Sequence, residues 1–225
     1  MKTLDLNFEL SMPKIMNAMH CAENSSVYPY AKAEYEKQLP LFYEKIKPRV
    51  FFEFRDNRCI VLMTLGADIS DYSSELFTVG EGFGGLMINT MADEYIFEMD
   101  NFVSLAIKEE CSLLKKGILS RNDTLSADEL KLAASLSHSV SVIGETTLSP
   151  IKSMAYILEL TNDTEVFNAQ HDCSKCPRKD CPRRHERMSE AAVLSDYSQS
   201  FHTDKNVLCI DIGTTTIAIE YFQKG

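Results

Sequence analysis

The stretch His171-Asp-Cys173-Ser-Lys-Cys176-Pro-Arg-Lys-Asp-Cys181-Pro-Arg-Arg-His185 places three thiols within nine residues. Two and four residues between them let a tight turn bring the sulfurs to coordination distance, so Cys173, Cys176 and Cys181 are candidate ligands of one metal or cluster. Pro177 and Pro182 follow two of these cysteines, where proline stiffens the turn and removes a competing backbone N–H. Lys175, Arg178, Lys179, Arg183 and Arg184 would offset the charge of a thiolate-ligated iron–sulfur cluster, tune its potential, and present a docking surface to an acidic redox protein. Zinc is the competing ion, with His185 completing a Cys3His set at C-x2-C-x4-C-x3-H. The fourth ligand of a cluster stays open. Cys209 is a candidate, although its apolar strand favours simple packing.

A second motif closes the sequence. Asp211-Ile-Gly213-Thr214-Thr215-Thr216 stands between two apolar runs, with a carboxylate at a strand end and N–H groups and hydroxyls in the turn, an arrangement able to hold a phosphate and its magnesium. It resembles the first phosphate loop of the superfamily of actin, sugar kinases and heat-shock ATPases. The resemblance covers about twenty residues and includes no second phosphate loop or adenosine pocket. The expectation is therefore the opening of a larger module that does not bind ATP by itself. No Ser/His/Asp order, H-E-x-x-H or P-loop lysine pattern is present.

The 225 residues are 44% hydrophobic and 25% charged, the make-up of a globular protein with a sizeable core. A net charge of −10 argues against nucleic acid as a partner, since a phosphate backbone requires a clustered cationic footprint. No apolar run is long enough to span a bilayer, and the opening residues lack the apolar region of a secretory signal, so a cytoplasmic protein without a membrane partner is expected. In that setting the seven cysteines do not read as a disulfide framework, and Cys21, Cys59 and Cys111 read as buried small hydrophobes.

The elements that must position these motifs follow from periodicity. A short helix is expected over residues 14–20 and a longer one over 30–46, kinked or divided by Pro40. Two β-rich runs, 50–54 and 59–65, flank a polar turn as a hairpin. A helical segment around 75–77 precedes Gly80-Glu-Gly82-Phe-Gly-Gly85. Phe83, Met87, Met91, Tyr95, Met99 and Val103 then step at i+4 along a long helix that ends at Lys115-Lys116-Gly117. The glycines formally satisfy G-x-G-x-x-G, with Asp100 where a ribose-binding acid would lie. The preceding Leu76-Phe-Thr-Val is a poor first strand and no βαβ series follows, so close packing is the favoured role. Ser126-Ala-Asp-Glu129 is a capping box opening a helix to about residue 136 or 138. Strands are expected at 140–143 and 154–160, with Ser149-Pro150 between them. Residues 190–194 read as helical.

Grouped strands and grouped helices indicate an α+β fold. The boundaries read as an α+β domain over 1–165, a Cys-rich segment over 166–190, a linker over 191–205 and a β-hairpin over 206–225.

Lys47-Pro-Arg-Val-Phe-Phe, Val61-Leu-Met-Thr-Leu-Gly66, Glu75-Leu-Phe with the helix start after Gly82, and Val142-Ile-Gly-Glu-Thr-Thr-Leu-Ser-Pro-Ile-Lys-Ser-Met154 together resemble the activation domain of cobalamin-dependent methionine synthase. The resemblance spans residues 30–160 and implies a twisted antiparallel sheet with helices. It further implies a role in rescuing cob(II)alamin held by a partner, with S-adenosylmethionine presented to the corrinoid. The family's Arg-x-x-x-Gly-Tyr contact to S-adenosylmethionine falls at Ser120-Arg121-Asn-Asp-Thr-Leu-Ser126, which keeps Arg121 and lacks the glycine–tyrosine pair. Arg121, Glu145 and Lys152 are thus the candidate contacts on the S-adenosylmethionine or corrinoid side. Reductive activators of corrinoid enzymes join an iron–sulfur donor to an actin-like ATPase module, and the three pieces here fit that theme. The expected function is an accessory module for reductive activation of a corrinoid-dependent methyltransferase, docking its cobalamin domain and relaying an electron through the cysteines. The alternatives are a non-catalytic interaction or regulatory domain with structural zinc, and an S-adenosylmethionine-binding reactivation domain.

Overall fold

Arg49–Arg55 (β2) and Arg58–Thr64 (β3) are rich in β-branched and aromatic residues, and they pair antiparallel about a two-residue turn in which Asp56 takes the left-handed conformation (φ 53°). In this computed structural model the described residues are 1–4, 6 and 8–170, together with the backbone of two strands at 207–212 and 217–222. The chain forms two units, one of residues 1–10 and 37–171, the other of residues 11–36 and 172–225.

The first unit is built on a five-stranded antiparallel sheet in the order β1-β2-β3-β7-β4, where β1 is Lys2–Leu4, β4 is Gly117–Asn122 and β7 is Ser153–Thr161. The period of two divides its side chains. Phe51, Ile60, Leu62 and Ile157 pack with Leu130, Ala133 and Ala134 of helix α5 (Ala127–Ala134) and with Leu148 of a small hairpin, β5 (Ser141–Ile143) and β6 (Thr147–Ser149). The alternate residues, among them Cys59, Val61, Tyr156 and Leu158, are also buried. They face the side of α4 (Gly82–Leu113), whose Met87, Met91, Tyr95, Met99 and Val103 are buried in turn. The expected i+4 stripe is therefore the core face of α4, with Phe8 stacked on Tyr95 at 4.1 Å and Phe42 tilted against it at 5.7 Å.

The glycine run makes a helix–helix corner. Gly80 takes φ +85° between α3 (Asp68–Thr78) and α4, and a Cβ on Gly85 would lie 2.8 Å from the Phe77 ring and 2.9 Å from the Ser73 carbonyl. Ser73 donates its hydroxyl to the Gly85 carbonyl at 2.9 Å. A helix, not a strand, leads into G-x-G-x-x-G, so the dinucleotide geometry is missing and close packing explains the glycines.

The capping box is formed. The Ser126 N–H and hydroxyl both donate to Glu129, and the Glu129 N–H donates back to the hydroxyl. These bonds, the backbone one foremost, hold the Glu129 carboxyl below its ordinary range. Its contribution is complete above the unfolded glutamate pKa and is lost as pH falls through the depressed folded value. Ser126→Ala should cost about 1 kcal/mol. Urea titrations at neutral pH and in acid should show that difference shrinking in acid.

In the second unit α1 spans Met12–Ala18, with Ile15 and Met16 buried. Val207–Ile212 (β8) pairs antiparallel with Ile217–Phe222 (β9), Asp211 opposite Ala218. Helix α2 (Tyr28–Lys45) has residues in both units, and of the two outcomes expected at Pro40, a kink or a division, the division does not occur. A single lost backbone bond is a cost that a helix of this length bears.

Candidate functional site

Arg121 gathers a buried polar cluster in the first unit, and a β-bulge puts it there. Strand β4 pairs with β7 at Gly117↔Thr161 and Ile118↔Leu160 and resumes at Ser120↔Glu159, which leaves Leu119 as an extra, exposed residue. Without that residue Ser120 would stand opposite Leu158; with it, Arg121 does. Asn168 secures the bulge by donating its side-chain amide to the Leu119 carbonyl at 2.8 Å.

Once turned inward, Arg121 is consumed by internal partners. Its side chain is 4% exposed. Nη1 donates to Asp100 Oδ2 at 2.7 Å and to the Ala169 carbonyl at 3.1 Å, and Nε donates to Asp123 Oδ1 at 2.7 Å. The guanidinium lies 3.6 Å from the centre of the Tyr156 ring, an arrangement favoured by cation–π attraction. Burial works against the cation, but Asp100, Tyr156 and Asp123 outweigh it and hold the group above its ordinary pKa. Burial, and then the charge of Asp100, push the Tyr156 phenol well up, so it stays protonated. Asp100 Oδ1 and the Tyr156 hydroxyl are both buried, and the phenol interacts with the Asp100 carboxylate.

The other two candidates lie elsewhere. Lys152 has a side chain 10% exposed, with Nζ on Asp93 Oδ1 at 2.6 Å and near the Asn89 carbonyl at 3.4 Å, which ties the start of β7 to α4. Arg121 stands opposite Leu158, six residues further along the chain, so the two cations are separated by roughly 20 Å of strand. Glu145 is exposed in the β5–β6 turn beside Gly144, which takes φ +64°. The three residues do not converge on one site.

The described thiols are packing residues. Cys21, Cys59 and Cys111 are buried and free, and burial raises the pKa of each, that of Cys59 furthest. They are poor nucleophiles and poor ligands in that state. Among the described residues no group of three or more histidine, cysteine or acidic side chains is gathered to hold a metal ion. Cys173, Cys176, Cys181 and His185 lie outside the described residues, as do Gly213, Thr214 and Thr215 and the whole stretch expected as a linker. Cys209 and Asp211 belong to β8, of which only the backbone is described.

Asp100 and Tyr156 were not legible as partners of Arg121. An acid in the middle of an apolar helix face is the one signal that could have raised Asp100, and the glycine motif diverted it to a ribose. A scan against protein-family models gave no match, and a search of curated proteins gave none. Among the described residues no helix is long and apolar enough to cross a membrane.

Proposed function

We propose that the chain is an accessory module for reductive activation of a cobalamin-dependent methyltransferase such as methionine synthase, docking the corrinoid protein and relaying an electron to it. The mixed α+β architecture with its antiparallel sheet supports the activation-domain resemblance at the level of fold class. One observation favours electron relay over S-adenosylmethionine binding: the guanidinium that the resemblance would assign to that ligand is bonded to Asp100, Asp123 and the Ala169 carbonyl. With the three described thiols buried, ligand chemistry falls to Cys173, Cys176 and Cys181.

Those cysteines would hold an iron–sulfur cluster, with His185 or Cys209 as the fourth ligand, and such a cluster supplies one electron at a time. One electron converts cob(II)alamin to cob(I)alamin on the partner. The lysines and arginines around the cysteines suit contact with an acidic surface, on the corrinoid protein or on a donor. The chain itself is the docking and relay element, and the cobalamin stays with the partner.

The reduced protein, mixed anaerobically with the cob(II)alamin form of a corrinoid methyltransferase, should bleach the cob(II)alamin absorbance and raise that of cob(I)alamin. Cys176→Ser should abolish the change. An unchanged spectrum with the unsubstituted protein removes the relay.

A further inference from the structure

Residues 163–170 run along the free edge of β4 and close over Arg121. Their attachment centres on one residue of the sheet. The Ile118 N–H donates to the Val166 carbonyl at 2.8 Å, and the Asn168 N–H donates to the Ile118 carbonyl at 2.9 Å. The Asn168 side chain holds Leu119, Arg121 Nη1 holds Ala169, and the Lys108 ammonium stands 5.0 Å from the Phe167 ring centre. By contrast, β3 and β7 are joined over seven residue pairs. A segment held to the sheet by two backbone hydrogen bonds and a few side-chain contacts opens more readily than a seven-pair ladder.

The closed arrangement also occupies the guanidinium. Arg121 Nη1 serves Asp100 and the Ala169 carbonyl together, and the Asp100 carboxylate and the Tyr156 hydroxyl are buried beside it. Ala169, fully buried, is the residue that must leave to admit water to Arg121.

We propose that residues 166–170 are a releasable strap over Arg121: closed, they occupy the guanidinium with the Ala169 carbonyl, and open, they present Arg121, Asp100 and Tyr156 together to solvent. The strap makes access to this cluster a conformational equilibrium of the first unit. It stands independently of the corrinoid reading, since every contact in it lies within residues 100–170.

The test labels arginines of the full chain with phenylglyoxal and follows backbone hydrogen exchange by peptide mass spectrometry. Arg58, whose side chain is 50% exposed, is the internal reference. In the unsubstituted protein Arg121 should label far more slowly than Arg58. Asn168 is exposed, so Asn168→Ala should fold while losing the bond to Leu119. One hydrogen bond of ordinary net strength shifts the open population by about fivefold, so Arg121 labelling and exchange across 166–170 should rise by about fivefold. Arg58 labelling and exchange in β3 and β7 should not change. Arg121 labelling as fast as Arg58 in the unsubstituted protein would overturn the strap. So would no change in the variant, or a rise shared by β3 and β7, which would mean general unfolding.

Discussion

Arg121→Ala is expected to lower the stability of the first unit by about 3–5 kcal/mol, because it leaves Asp100 charged, buried and without its counter-ion. Asp100 is 8% exposed, and removal of the guanidinium takes away the partner of its Oδ2. Tyr156 would lose the cation against its ring in the same step. Asp123, just past the end of β4 with a side chain 31% exposed, can rehydrate and adds little. The double substitution Arg121→Met with Asp100→Leu removes both charges at similar volume and should recover most of the loss, since a buried pair often does no better than apolar packing. Urea unfolding of the two single variants and the double variant measures this cycle. A loss below about 1 kcal/mol for Arg121→Ala would place the pair in solvent and refute the buried geometry.

Gly117→Ala should come next, with a loss of about 2–3 kcal/mol. A Cβ there would stand 1.9 Å from the Asp163 carbonyl oxygen and 2.7 Å from that of Val166, both backbone atoms that no side-chain rotation can move. The segment over β4 must then shift bodily, and the Ile118 bonds to Val166 and Asn168 should fail with it. Hydrogen exchange should show Ile118 and Asn168 losing protection in this variant, together with the drop in unfolding midpoint. A stable variant with protected Ile118 would mean that residues 163–166 do not press on Gly117.

The central hairpin and the long helix were legible because their signals are local and repeated. The β-rich apolar runs within Arg49–Arg55 and Arg58–Thr64, and the i+4 stripe of α4, each extend over several residues, and each is buried in the core. Strand β4 escaped because its bulge breaks the alternation and because its inward residue after the bulge is an arginine. Gly117 therefore read as the end of a helix, whereas α4 ends at Leu113 with Lys115 in the left-handed conformation, and Gly117 opens a strand. Strand β1 is three residues long, too short for a period, and β6 hid beside Ser149-Pro150 as part of a turn.

The candidate site was legible only in part, for a related reason. Arg121 could be singled out by its place in a resemblance, but its partners come from α4, β7 and the segment after β7, at separations of 21 to 48 residues that no local pattern links. Lys152 likewise finds Asp93 across 59 residues. The cysteine spacing needs no tertiary partner to be read, since Cys173, Cys176 and Cys181 are neighbours in sequence. That makes them the most legible chemistry of the chain, and the proposed function rests on them.

The most direct measurement is therefore the content of iron, acid-labile sulfide and zinc in anaerobically purified protein, taken with its visible spectrum. Iron and sulfide in matching amounts, with a brown chromophore that bleaches on reduction, are the expected result, and Cys173→Ser, Cys176→Ser and Cys181→Ser should each remove it. A colourless protein carrying one zinc per chain would contradict the account and leave the cysteines as a structural clasp.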